Sequence, residues 1–321
     1  MPLPTDEKVL ALSNDILAQF DKIFGLQPGF RPAHAKGILL MGTFQPSPAA
    51  ASLTRATHMN RESTPVWVRF SDGTGLPLIP DNNPNANPRG CAIRFHLADR
   101  AHTDIIAHSV NGFPARNGQE FLEFLRALAA SDPSKPAGSP LEAFLGTHPK
   151  TLAFVQPKPS PSSFAREQFF GITAMRFTNQ AGQSHFGRYR VVPEAGVDHL
   201  SDAAAAAKSA TYLFDELAER IAKGPVKMRV VVQLANDGDN VNDATEYWPE
   251  DRPLLDLGAI ALTAIPADNA HEQKWTIFDP IPRVDGIDAS DDPLLELRAA
   301  VYLISGRRRR SAPEGLAAMK A

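Results

Sequence analysis

Arg298 and Tyr302, in the segment LRAAVY, stand four residues apart, which puts both on one face of a helix. A phenol binds iron well only as phenolate, and its ordinary pKa lies near ~10. A ferric ion and an adjacent guanidinium both favour the anion. A cation one turn before a tyrosine therefore suits an iron–tyrosinate bond. The competing reading is an arginine packed on a surface tyrosine. His34, in FRPAHAKG, sits where an irregular segment enters a strand. As a neutral imidazole it could act as a general base toward a peroxide; otherwise it is a satisfied core histidine. Arg69, in VRFSDGTG, ends a strand two residues before Ser71 and is a natural anion-binding group, or else a surface arginine.

Other residues carry less. Cys91, in PRGCAIRF, could be a thiolate ligand, but its apolar mid-strand setting points to a buried core residue. His96, His102, His148, His185, His199 and His271 show no metal-ligand spacing. The run DGDNVND at 237–243 lacks the spacing and distal Glu of a calcium loop, so it reads as a polar loop. The run Arg307–Arg310 would usually be a solvated tail or a weak anion patch.

Elements must position these groups. Apolar spacing predicts helices over 5–24, 118–130, 202–222 and 291–304, the last with Pro293 in its first turn. Strand-like runs are 37–44, 66–70, 92–95, 104–110, 173–178, 185–192, 226–234 and 257–264, with a hairpin at 179–183. Residues 131–163 form a Pro/Ser-rich connector holding a short helix at 141–145. Many strands without βαβ alternation imply an antiparallel sheet or barrel with helices attached, an α+β fold.

The composition is ordinary for a globular protein: 321 residues, 43% hydrophobic and 21% charged. A net charge of −3 supplies no basic field for nucleic acid. A single cysteine excludes an internal disulfide and any site needing two thiolates. The first residues, MPLPTDEKVLALSND, carry acids and no long apolar run, so the expectation is a cytoplasmic protein without a signal or membrane span.

Taken together and in order, the segments resemble the haem catalase superfamily. HAKG at 34–37 matches its distal-histidine motif; RFS at 69–71 and PRG at 88–90 match a strand pair. DIIAHS at 104–109 and FPAR at 113–116 fall where that family has its distal-asparagine segment. EYWPEDRPLLDLGAIALT at 246–263 and GIDASDDPLLELRAAVY at 286–302 resemble its later landmarks. The pattern is similar to that of the small, catalase-related peroxidases.

That resemblance implies a catalase-like antiparallel β-barrel with surrounding helices and haem b buried against a C-terminal helix. One domain over 1–321 is expected, with an N-terminal helix in 1–27, the barrel core in 28–265 and the proximal haem helix in 286–310. It implies Tyr302 as iron ligand, Arg298 as its phenolate partner, and His34 as distal acid/base with its tautomer set by Ser71. Arg31, Arg69 and Arg309 are expected at the haem propionates and Phe121 on the porphyrin. Two departures stand out: His108 occupies the asparagine's place, with Asn111 three residues on, and Asn87 replaces a channel acid. The implied function is peroxide reduction by a small organic reductant with weak catalase activity. Hydroperoxide rearrangement like that of allene oxide synthase and non-catalytic haem binding are the alternatives. A homodimer is compatible with this reading.

Overall fold

Period-two alternation builds the central sheet. In β2 (Thr64–Ser71) Val66, Val68 and Phe70 are buried in one core, while Trp67, Arg69 and Ser71 face the other way. The same alternation runs through β3 (Gly90–Ala98) and β4 (Ala101–His108): Ile93, Phe95, Ile105 and Ala107 join that core, leaving Ala92, Ile106 and His108 on the outer face. The computed structural model describes residues 2–313; Met1 and residues 314–321, and with them the two ends of the expected 1–321 span, lie outside the described residues.

Six further strands carry the sheet on: β1 (Gly37–Pro46), β6 (Phe169–Phe170), β7 (Met175–Thr178), β8 (Ser184–Pro193), β10 (Val226–Leu234) and β11 (Leu254–Ala264). The order β10-β11-β1-β2-β3-β4-β6-β8 closes through a β8–β10 pairing into an eight-stranded barrel, antiparallel throughout. Beside it β7 extends from β8, and β12 (Ile287–Ala289) extends from β7. A separate two-stranded ladder joins β5 (Ser160–Pro161) to β9 (His199–Leu200). Closure gives each barrel strand a neighbour on both sides, although β4 meets β6 only at His108 and Phe170.

A second core lies outside the barrel. Ile16 and Leu17 of α1 (Glu7–Phe24), Leu122 and Leu125 of α3 (Gly118–Ala129), and Leu297 and Val301 of α9 (Leu294–Ser311) pack together. Gly118 permits this approach: a Cβ there would come within 2.3 Å of Leu297 Cδ2. The remaining helices are α2 (Ala50–Leu53), α4 (Pro140–Thr147), α5 (Pro149–Val155), α6 (Asp202–Ala206), α7 (Tyr212–Lys223) and α8 (Asn269–Trp275). No described helix is long and apolar enough to cross a membrane.

Several boundaries differ from expectation for physical reasons. The helix expected over 202–222 is two helices, because tertiary donors take its mid-segment carbonyls: Asn82 Nδ2 donates to Lys208 O, and Lys36 Nζ donates to Ala210 O. The connector 131–163 holds two helices, the second restarting at Pro149 with proline in its first turn. The strand expected to 110 stops at His108, where Ser109 bonds back to Arg89. The last helix starts at Leu294 behind Pro293, with Asp292 accepting from Leu294 N, and runs to Ser311 rather than 304.

Candidate active site

The barrel's outer face, α1, α3 and α9 line an open cavity of about 1500 Å³. Drug-sized ligands occupy roughly 300–1,000 Å³, so this space suits a larger, mostly apolar group. Arg69, Ser71, Ala92, Ile106 and His108 line it from the barrel; Arg298, Val301, Tyr302 and Arg309 line it from α9. His34 and Phe121 also border it, whereas Asn111 is not among the lining residues. Residues far apart in sequence thus meet at one space.

His34 sits at the barrel end of the cavity with φ +57°, a left-handed backbone that few non-glycine residues adopt. Such conformations cost about 1–3 kcal/mol and persist where the surroundings impose them. Its Nδ1 lies 3.1 Å from Ser71 Oγ. Gly90, opposite Ser71 in the ladder, makes the room: a Cβ there would be 2.7 Å from His34 Nδ1. Burial, and then the charge of Arg69, holds the His34 imidazole down at about 4, so it is neutral at ordinary pH.

His108 ends β4, opposite Gly90. Val110 N donates to its Nδ1 at 3.2 Å, which puts the ring proton on Nε2. That nitrogen is enclosed and has no hydrogen-bond partner among the described residues. Burial, and then the neighbouring His34, holds the ring down at about 3. Asn87 borders the cavity too; its Nδ2 donates to Lys158 O at 3.2 Å, while its Oδ1 has no partner.

On α9 the i,i+4 spacing does what helical geometry requires. Both Nε and Nη2 of Arg298 lie 3.4 Å from Tyr302 Oη, and the guanidinium stands 5.7 Å from the ring centre. The contact is long for a hydrogen bond, so it leaves the phenol oxygen able to take a further partner. Phe121 is half-buried and touches Phe20, Phe113 and Phe124.

Three more arginines converge at one end. Arg309 is buried and donates to Lys274 O at 2.9 Å and Thr276 O at 2.7 Å; Arg31 donates to the same Thr276 O at 3.0 Å. Arg69 bonds Gln273 Oε1 at 2.8 Å and His34 O at 2.9 Å. Arg307 and Arg310 stay exposed, and Arg308 pairs with Asp21. Burial, then the charge of Arg309, pushes Arg69 down to about 9. Burial and neighbouring guanidiniums push Arg31 and Arg309 well down as well. Among the described residues, Arg31, Arg69, Arg298 and Arg309 have no carboxylate in ion-pair contact. Buried like charges without counter-ions favour an anion at this end of the cavity.

The carbonyls that aim these arginines come from α8 and the turn after it, which the sequence marks only by Asp268 as a cap. Gln273, Lys274 and Thr276 therefore escape motif reasoning, as does the buried pair of Asp72 with Arg89 behind the distal segment. Cys91 is buried, and burial pushes its thiol up, so it is no thiolate.

Known proteins are similar in sequence and fold. A family model described as Catalase matches residues 22–314. A catalase-related peroxidase of Mycolicibacterium paratuberculosis is 33% identical over 295 residues, 91% of this chain and 92% of that one. A catalase-related peroxidase of Synechococcus elongatus is 31% identical over 301 residues, covering 92% and 88%. A catalase of Alkalihalophilus pseudofirmus is 27% identical across 85% of this chain and 43% of its own length. Among solved structures, a fungal catalase matches with a TM-score of 0.76 at 22% identity, over 91% of this chain and 61% of that one. That likeness speaks for the fold alone.

Proposed function

This chain belongs to the catalase family, and on that premise we propose that it is a haem b peroxidase that reduces hydrogen peroxide or organic peroxides with a small organic donor. The observation that carries the reading is the charge arrangement. Arg31, Arg69 and Arg309 meet, with no counter-ion among the described residues, at one end of an apolar cavity whose walls present Tyr302 and His34. Haem is a large apolar plate with two carboxylates at one edge and an iron at its centre, and these residues fit it. The three arginines would hold the propionates by charge-assisted bonds. Tyr302 Oη would be the iron ligand, its anion favoured by Arg298, and Phe121 would pack on the ring.

Bound there, haem supplies a ferric iron and a conjugated ring that store the oxidising equivalents taken from peroxide. The chain's own residues handle the protons. With Nδ1–H donating to Ser71 Oγ, His34 keeps a lone pair on Nε2. Nε2 takes a proton from one peroxide oxygen and delivers it to the departing oxygen. The low pKa of His34 keeps that lone pair free. His108 offers an Nε2–H donor where the family has an asparagine, and Asn87 offers no charge. Both changes weaken the hold on a second peroxide molecule, so donor oxidation outruns oxygen release.

The test is turnover by the haem-loaded protein with peroxide and a dye donor. Rapid dye oxidation, lost in His34→Ala while haem is retained, is expected; dye oxidation unaffected by His34→Ala would exclude it as the acid/base. The apolar extension of the cavity past Phe24, Leu76, Leu78 and Val155 favours a second reading, rearrangement of a lipid hydroperoxide. Conversion of such a substrate without any donor would favour that one.

A further inference from the structure

We propose that the buried ion pair of Asp72 with Arg89 is the positioning device for His34. The proposal rests on the reading of His34 as the acid/base. Neither Asp72 nor Arg89 lines the cavity, and both are fully enclosed. They act, therefore, through what they hold.

What they hold is the strained segment. His34 N donates to Gly73 O at 3.2 Å, Ala35 N donates to Thr74 O at 2.9 Å, and Asp72 N donates to Lys36 O at 3.1 Å. Residues 34–36 thus lie clamped on residues 72–74. The clamp must itself be fixed to impose a positive φ on His34. Gly73 N donates to Ala86 O at 2.7 Å, and the Asp72 carboxylate takes Arg89 Nη1.

Arg89 ties the rest together. Its Nη2 donates to Asp81 O at 2.6 Å, and its backbone exchanges two bonds with Ser109, 2.9 Å to Oγ and 2.8 Å from N. It stands next to Gly90, the residue under the His34 ring, and Ser109 stands next to His108. Lys36, two residues past His34, adds a second, partly buried pair with Asp81 at 2.5 Å. Lys36 and Arg89 therefore meet Asp72 and Asp81 behind the distal pocket, tied to the segments that carry the groups facing it. Separating such a pair would leave an uncompensated buried charge, so the segments it joins are held together. That is the property a positioning unit needs.

Cyanide tests this without turnover. It arrives as HCN and binds ferric iron as the anion, so a placed base must take its proton. In the haem-loaded protein, Asp72→Asn is expected to keep the haem and slow cyanide association by about 10²-fold, the scale of a misplaced catalytic group. In a His34→Ala background the same change should alter the rate less than about twofold, because the pair acts through His34. Amide hydrogen exchange at His34 and Ala35 should quicken while the β10 amides stay protected, which separates local release from general destabilisation. Arg89→Lys, which keeps the charge and loses donors, should give an intermediate rate and carries the same test if Asp72→Asn fails to fold. Cyanide association within about twofold of wild type, or equal slowing in the His34→Ala background, overturns the proposal. Wild-type protein that takes up no haem would overturn the functional reading instead, and exchange at His34 and Ala35 still judges the clamp.

Discussion

The Gly90 α-carbon sits against the His34 imidazole so closely that a Cβ would come within 2.4 Å of Ser71 Oγ and 2.7 Å of His34 Nδ1. The ladder places Gly90 opposite both Ser71 and His108. One missing methyl group thus sets the spacing of Ser71 and His34, two of the residues assigned to the distal face.

Gly90→Ala should therefore push the His34 ring off its position while leaving the α9 side of the cavity intact. Haem content should hold, and the reaction with peroxide should slow by about 10²-fold, read by stopped-flow absorbance. Gly146→Ala, at a site where a Cβ meets nothing within 4 Å, is the control and should leave the rate unchanged. A wild-type rate in Gly90→Ala would mean that the ring does not need this place.

Oxygen release and dye oxidation, measured on one preparation, report the balance of the two activities. His108→Asn restores the side chain expected of a catalase, so oxygen evolution from peroxide alone should rise. Vigorous oxygen evolution by the wild-type protein, with negligible dye oxidation, would contradict the roles proposed for His108 and Asn87.

Acid should weaken the fold in a way that can be traced to single residues. His58 is buried against Phe95, its Nδ1 has no partner among the described residues, and burial holds it at about 3. Its folded pKa lies below the ordinary 6.5, so the unfolded chain binds the proton more readily. Stability is full above pH 6.5 and is lost as pH falls toward 3, by about 1.4 kcal/mol per pH unit for this group. His34 and His108 add to the loss in the same direction. Thermal unfolding of His58→Leu should show a shallower acid slope than wild type; an unchanged slope would show that His58 is not the source.

The parts legible in sequence were those with local rules. Alternation in Val66–Phe70 and the four-residue step from Arg298 to Tyr302 each fix a direction without outside help. The arginine cluster was legible only through resemblance, because Arg31, Arg69 and Arg309 meet across 278 positions of chain. What aims them was not legible: the backbone carbonyls of Lys274 and Thr276 leave no trace in side-chain identity. The break between α6 and α7 was hidden for the same reason, since Lys36 and Asn82 claim its carbonyls from distant segments.

In the proposed function haem binds between His34 and Tyr302, with the tyrosine on its iron. The most direct test is haem titration of wild type and Tyr302→Phe, followed by absorbance. Wild type should bind stoichiometrically with a high-spin ferric tyrosinate spectrum. Tyr302→Phe should lose most of its haem, and Arg298→Ala should lose less, because the iron itself still favours the phenolate. Full occupancy and an unchanged spectrum in Tyr302→Phe would contradict the claim.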